Sequence, residues 1–260
     1  KYLFQNLEFK EEVSLGAINS INWARVAAQI VYYFSTFQQL QSNRVSFSVP
    51  TGNFGDVLAG WVAKKMGLPI DKLIVATNDN DILDRAISNG DYFQEEVKAT
   101  TSPSMDIQIS SNFERLLFES LDRDPEKLRN LFEELKENNG FRLGADTLTY
   151  IRNDFKSGKA SEEKVKDTIS RIHKASNIIL DPHTAVGFYA SASELNFDVP
   201  MVNLGTAHPA KFSKAVIDAI GLEPEIPDRL KNIVNKKEKF IQLENNSEAL
   251  ISFIRKHSNV

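Results

Sequence analysis

The stretch Val49-Pro50-Thr51-Gly52-Asn53-Phe54-Gly55-Asp56 has the residue types of an anion site. A β-rich run (Val45, Phe47, Val49) ends at Pro50, two glycines bracket Asn53-Phe54, and an amphipathic pattern (Val57, Leu58, Trp61, Val62) continues to Gly67. Strand, tight turn and helix are expected in that order. At such a junction backbone N–H groups converge on a helix N-terminus, where unpaired donors and the helix dipole favour a phosphate. Gly52 and Gly55 are expected to supply positive φ and room for a ligand to approach the backbone. A βα turn that binds nothing uses the same residues, so the glycines alone leave both readings open.

Other polar residues gather at similar junctions. Asn19, Ser20, Asn22 and Arg25 open a long apolar-periodic segment; Asn19 or Ser20 can cap its free N–H groups, and the others are left for contacts to a ligand. Arg25 and Lys211 are candidates for gripping a phosphate or carboxylate, with solvated or structurally paired charges as the alternative. The four histidines lack HExxH spacing, so no metal site is expected. His183 and His208 each follow a strand-like run, where an imidazole orients a ligand, moves a proton or is simply hydrogen-bonded. Asp181-Pro182 reads as a helix cap followed by proline at the first helical position.

The elements that must carry these residues alternate. Asn19–Leu40 has apolar residues near a 3.6 period and predicts a long, largely buried helix. Lys72–Asn78 is a continuous β-rich run, fitting a strand covered on both faces. Asn78-Asp79-Asn80-Asp81 is expected to cap a helix that stops at Asn89-Gly90. Thr100–Asn112 shifts to small hydroxyl residues around Pro103, the character of a loop near a site. Ser111 and Glu114 have capping-box spacing. Residues 122–176 are rich in Glu and Lys with helical periodicity and read as a peripheral helical insertion with solvated faces. Asn177–Leu180 and Val199–Leu204 are further candidate strands, and Ser247–His257 a terminal helix. Strand-helix alternation of this kind predicts an open, mostly parallel α/β sheet with flanking helices, whose ligands sit beyond the carboxyl ends of the strands.

Over 260 residues, 42% are hydrophobic and 25% charged, and 31 Lys and Arg stand against 35 Asp and Glu. The resulting net charge of −4 gives no footprint for nucleic acid. No apolar run reaches the roughly 20 residues of a membrane span. Cysteine is absent, which excludes disulfides, thiolate metal sites and a cysteine nucleophile, and the cytoplasm is the simplest compartment.

Six blocks taken together carry a resemblance: NSINWAR (Asn19–Arg25), VPTGNFGD (Val49–Asp56), ATNDNDIL (Ala76–Leu83), SMDIQISSNFERLL (Ser104–Leu117), DPHTAVG (Asp181–Gly187) and GTAHPAKF (Gly205–Phe212). In this order they resemble the threonine synthase family, in its longer-chain fungal and bacterial branch. The resemblance implies the fold type II architecture of the tryptophan synthase β-subunit, here incomplete, and pyridoxal 5'-phosphate as cofactor. It implies conversion of O-phospho-L-homoserine and water to L-threonine and phosphate, the last step of threonine biosynthesis. Carried over by position, it implies that Gly52, Asn53, Phe54, Gly55 and Asp56 surround the cofactor phosphate. Thr206 would meet the pyridine nitrogen, and Asn19, Ser20, Asn22, Arg25, His183, His208 and Lys211 would be available to the substrate. The alternative is a threonine synthase-like protein that binds a phosphate ester, or a phospho-lyase without that activity.

One departure from the family pattern stands out. The family's Schiff-base lysine lies in an upstream Phe-Lys-Asp segment, and nothing here aligns with it. Phe9-Lys10-Glu11 lies immediately before the Asn19 block, and its acidic neighbours Glu8, Glu11 and Glu12 would hold Lys10 charged. The chain also begins Lys1-Tyr2-Leu3 without Met. It is therefore expected to be a C-terminal portion, inactive in isolation, whose missing partner is the N-terminal part of the same protein. In these terms residues 1–121 are expected to form part of the cofactor-binding core, 122–176 the insertion, 177–222 the rest of the core with the pyridine-nitrogen site, and 223–260 a terminal segment.

Overall fold

The computed structural model describes residue 3 and residues 6–16, 19–234 and 236–258. The chain divides into two compact units, one of Lys1–Asn19 with Ile226–Val260 and one of Ser20–Glu225. The terminal unit contains α1 (Leu7–Glu12), and its two later helices are introduced below.

The Ser20–Glu225 unit runs α2 (Trp23–Gln39), β1 (Val45–Pro50), α3 (Gly55–Lys65), β2 (Ile70–Thr77), α4 (Ile82–Asn89), β3 (Asp91–Phe93), α5 (Phe113–Ser120), α6 (Pro125–Asn138), β4 (Gly140–Arg142), α7 (Ala145–Asp154), β5 (Phe155–Lys159), α8 (Glu162–Ser176), α9 (Pro182–Ala190), β6 (Met201–Asn203) and α10 (Ser213–Ile220). Four strands form one parallel sheet in the order β5-β2-β1-β6, and β3 and β4 form a separate antiparallel pair. The alternation of β2 places Leu73 and Val75 in the apolar cluster with α3 and α4, and Ile74 and Ala76 in a second cluster with α8 and α9. Both faces of the sheet are thereby covered, as expected of a parallel sheet. All six residues of β1 are buried, and its polar members are satisfied: Ser48 Oγ donates to the Gly187 carbonyl at 2.8 Å, and Ser46 Oγ accepts from Lys72 N–H.

The structure corrects several local expectations. Helix α2 begins at Trp23, because Asn22, rather than Asn19 or Ser20, accepts the Ala24 N–H. It is not largely buried: Val26 and Tyr33 are enclosed, whereas Trp23, Val31 and Tyr32 are about half exposed or more. Residues 122–176 are not purely helical, since β5 lies there and completes the sheet beside β2. Asn177–Leu180 forms no strand: Asn177 takes the left-handed conformation that ends α8, and Asp181 already caps α9, so too few residues remain to pair. The Ser111–Glu114 capping box does not form; Asn112 stands at the cap position of α5 and Ser111 Oγ donates to Asn53 Oδ1 instead. Asp81 stands at the N-cap of α4 without a capping bond, because its carboxylate binds Arg85 and Lys159. The Gly90 stop is as expected, with φ 87°.

In the terminal unit, α11 (Asp228–Val234) and α12 (Ser247–His257) follow α1. Arg255 of α12 grips Glu12 with both arms of its guanidinium, at 2.6 and 2.7 Å, and stands 5.6 Å from the centre of the buried Phe9 ring. Among the described residues no helix is long and apolar enough to cross a membrane.

Candidate functional site

At the carboxyl ends of β1 and β6 lies a cleft of about 630 Å³. Its lining includes Ser20, Arg25, Gln29 and Tyr32 from the α2 region, the whole turn Pro50–Val57, Ser104, and Leu204-Gly205-Thr206. The turn is built from three anchors. Thr51 N–H donates to the Ala76 carbonyl at 2.8 Å, tying its entry to β2. Phe54, with φ 63° and ψ 8°, is the residue in the left-handed region, while neither Gly52 nor Gly55 has positive φ. That conformation costs a non-glycine residue about 1–2 kcal/mol. It is offset by burial of the ring, which is 1% exposed and packed on Phe113 and Phe155 at 5.3 and 5.7 Å.

The third anchor is the segment 100–112. Ser110 Oγ donates to the Gly52 carbonyl at 2.7 Å, and Asn112 donates to the Asn53 carbonyl from N at 3.1 Å and from Nδ2 at 3.0 Å. Gly52 is required by contact rather than dihedral freedom, since a Cβ there would lie 2.5 Å from the Ser104 carbonyl oxygen. The carbonyls of Gly52 and Asn53 are thus occupied from behind. Among the described residues none accepts a hydrogen bond from the N–H groups of residues 52–57. Six consecutive donors at the start of α3, beside a cleft, are what an anion requires.

Asp56 sits in this first turn, and Tyr33 Oη donates to its carbonyl at 2.8 Å and to Oδ1 at 3.2 Å. Burial pushes the Asp56 carboxyl up to about 6, with the tyrosine bond pulling weakly the other way. Burial and the facing carboxylate raise the Tyr33 phenol well above its ordinary range. Asp56 therefore takes up a proton at higher pH than an exposed carboxylate does.

Of the other sequence-derived candidates, Ser20, Arg25 and Thr206 line the cleft, and Arg25 is the one cation among the described lining residues. Asn22 is the α2 cap, and Asn19 is exposed in the terminal unit. His183 is absent from the lining: it is buried at the start of α9, with Nδ1 3.1 Å from Asp181 Oδ1 and its ring 4.7 Å from Phe212. Asp181 caps α9 as expected, accepting from His183 N and Thr184 N and from the Thr184 hydroxyl. His208 is exposed and its Nδ1 accepts the Ala210 N–H at 3.2 Å, capping a short 3-10 turn. Lys211 is exposed over the Phe212 ring, beside a separate depression with Thr100 and Thr101. The sequence marks the hydroxyl-rich loop by composition but gives no local signal for its individual residues Ser104, Ser110 and Asn112, nor for Gln29, Tyr32 and Tyr33 on α2.

A parallel sheet with this glycine turn at the carboxyl edge of β1 defines the class: the α/β architecture of fold type II pyridoxal phosphate enzymes. The family model for "Threonine synthase, C-terminal" matches residues 184–254. The threonine synthase of Pseudomonas aeruginosa is 43% identical over 100% of this chain and 56% of its own length. The crystal structure of PLP-bound threonine synthase from Brucella melitensis superposes with a TM-score of 0.95 at 47% identity, over 100% of this chain and 56% of that one. The yeast threonine synthase structure gives 0.85 at 41% identity, over 94% and 53%. The chain belongs to the threonine synthase family and spans about half the length of the curated relatives it matches.

Proposed function

We propose that this chain is the C-terminal portion of a threonine synthase, and that its Gly52–Gly55 turn holds the phosphate of pyridoxal 5'-phosphate. The enzyme would convert O-phospho-L-homoserine and water to L-threonine and phosphate. The observation that carries this reading is the run of six unshared N–H groups at residues 52–57, in a turn that lines a cleft at the start of a helix. The lack of a side chain at Gly52 and the half-buried setting suit a phosphate monoester, which takes several N–H donors at once. When bound, the cofactor supplies an electron sink for carbanion chemistry.

In this reading each lining residue has a definite task. Thr206, exposed at the cleft beyond β6, offers a neutral hydroxyl to the pyridine nitrogen, which does not enforce a protonated ring as a carboxylate would. Arg25, in the first turn of α2, grips an anionic group of the substrate, with Ser20 beside it. The cofactor-bonding lysine is assigned to the part of the enzyme beyond these residues, because the family's Phe-Lys-Asp segment has no counterpart in this sequence. The substrate is a small molecule, and a cysteine-free biosynthetic enzyme of net charge −4 is assigned to the cytoplasm, without nucleic acid or membrane partners.

Borohydride reduction in the presence of the cofactor tests the assignment. The intact enzyme is expected to release threonine and phosphate from O-phospho-L-homoserine and, once reduced, to carry a pyridoxyl group on a lysine outside these 260 residues. The 260-residue chain alone is expected to carry none. A pyridoxyl-lysine within it would overturn the reading.

A further inference from the structure

The carboxyl end of β2 carries a polar knot whose centre, Asp106, does not line the cleft. Its Oδ1 accepts from Asn78 Nδ2 at 2.7 Å, Asn80 Nδ2 at 3.0 Å and Thr100 Oγ1 at 2.6 Å, and its Oδ2 accepts from Thr100 N at 2.8 Å. Two of the donors are deeply placed, Asn78 fully buried and Asn80 3% exposed, and Thr100 is half-buried. Asn78 Oδ1 accepts from the Asn80 backbone and Asn80 Oδ1 from the Lys98 backbone, so both amides are committed in both directions. Among the described residues no Lys or Arg pairs with Asp106. This carboxylate is bonded solely by neutral donors, all on β2's continuation or on its own segment.

The knot fixes one end of a segment whose other end forms the glycine turn's back wall. Immediately after Ser102, a 3-10 turn (Pro103–Met105) brings the Ser104 carbonyl to where a Gly52 Cβ would be. Past Asp106, Ser110 and Asn112 occupy the carbonyls of Gly52 and Asn53. A peptide whose carbonyl is held from one side presents the following N–H to the other. The Asn53 and Phe54 N–H groups are therefore turned away from segment 100–112 only while that segment stays seated.

We propose that Asp106 is a positioning residue for the anion site: it seats segment 100–112 behind the Gly52–Gly55 turn and so aims the turn's N–H groups. This rests on the phosphate reading above. The knot is more than a fold-stabilising cluster because both of its outputs, the Ser104 and Ser110 contacts, end on Gly52.

The test is a titration of the cofactor-stripped intact enzyme with pyridoxal phosphate, read by calorimetry at a temperature where every variant is folded. Asp106→Asn turns an acceptor into a donor facing other donors and is expected to weaken binding about tenfold or more, the scale of one charge-assisted hydrogen bond. Thr100→Val, which removes the hydroxyl that donates to Asp106 and accepts from Asn78 Nδ2 and Ser102 N, is expected to act in the same direction and serves where Asp106→Asn fails to fold. Asp154→Asn is the control: it disturbs a buried bond to Trp61 at the end of α7 and is expected to lower the melting temperature without weakening binding. Gly52→Ala separates the two readings. If it binds like the wild type, the phosphate site itself is refuted. If it loses binding while Asp106→Asn and Thr100→Val bind like the wild type, positioning by Asp106 is refuted. Equal weakening in Asp154→Asn would also refute it, by tracing the loss to stability alone.

Discussion

Asp56 ties the chemistry of the site to the stability of the fold. Its carboxyl is raised to about 6 from an ordinary value of 3.8, chiefly by burial. A folded-state value above the unfolded one means that the native state binds the extra proton between these two values. The contribution is therefore full below about pH 4 and is lost as pH rises through about 6. Allowing for the part of the side chain that faces the cleft, the loss is about 1–2 kcal/mol. Asp56→Asn keeps an oxygen for the Tyr33 hydroxyl and removes the charge, so its melting temperature is expected to exceed that of the wild type at pH 7.5 and to match it near pH 4.5. Thermal unfolding at both pH values checks this; equal offsets at the two would show that the buried charge is not responsible. A bound phosphate would raise the carboxyl further, so binding near pH 6–7 is expected to take up protons, measurable as a buffer-dependent heat.

Between elements, the close approach of α2 and α3 sets the cleft wall. A Cβ at Gly60 would meet the Tyr33 ring at 2.5 and 2.6 Å and Leu73 Cδ2 at 2.9 Å, so the absent side chain lets Tyr33 lie against α3 and reach Asp56. Gly60→Ala is expected to cost about 1–3 kcal/mol by overpacking and to flatten the pH dependence attributed to Asp56. Denaturant unfolding at two pH values measures both. Features set by local sequence were legible: the Val45–Gly67 strand-turn-helix, the Asp181 cap and helix α12 all follow from periodicity and capping chemistry. Strand β5 was not, because in Phe-Lys-Ser-Gly-Lys only Phe155 is buried and the pairing with β2 spans distant sequence. Nor was the left-handed Phe54, since glycine is the usual choice there and only the rings of Phe113 and Phe155 make an aromatic suitable. The Asp106 knot joins residues more than twenty positions apart, beyond the reach of any local pattern.

At the scale of the whole molecule, the chain's charge works against an anionic ligand. With a net charge of −4, attraction for the proposed phosphate must be local, and the groups available for it are the N–H groups at the start of α3 and Arg25. The chain is about half as long as the relatives it matches, and its cleft offers unshared N–H groups, a hydroxyl and a guanidinium but no lysine among the described lining residues. The proposed division of labour sets the cofactor phosphate on this chain and the lysine in the rest of the enzyme. It is tested most directly by a crystal structure of the intact enzyme with pyridoxal phosphate bound. The phosphorus is expected within hydrogen-bonding reach of the N–H groups of Gly52–Gly55, with Thr206 Oγ1 at the ring nitrogen. A phosphate held elsewhere, with the glycine turn making no contact to it, would contradict the account.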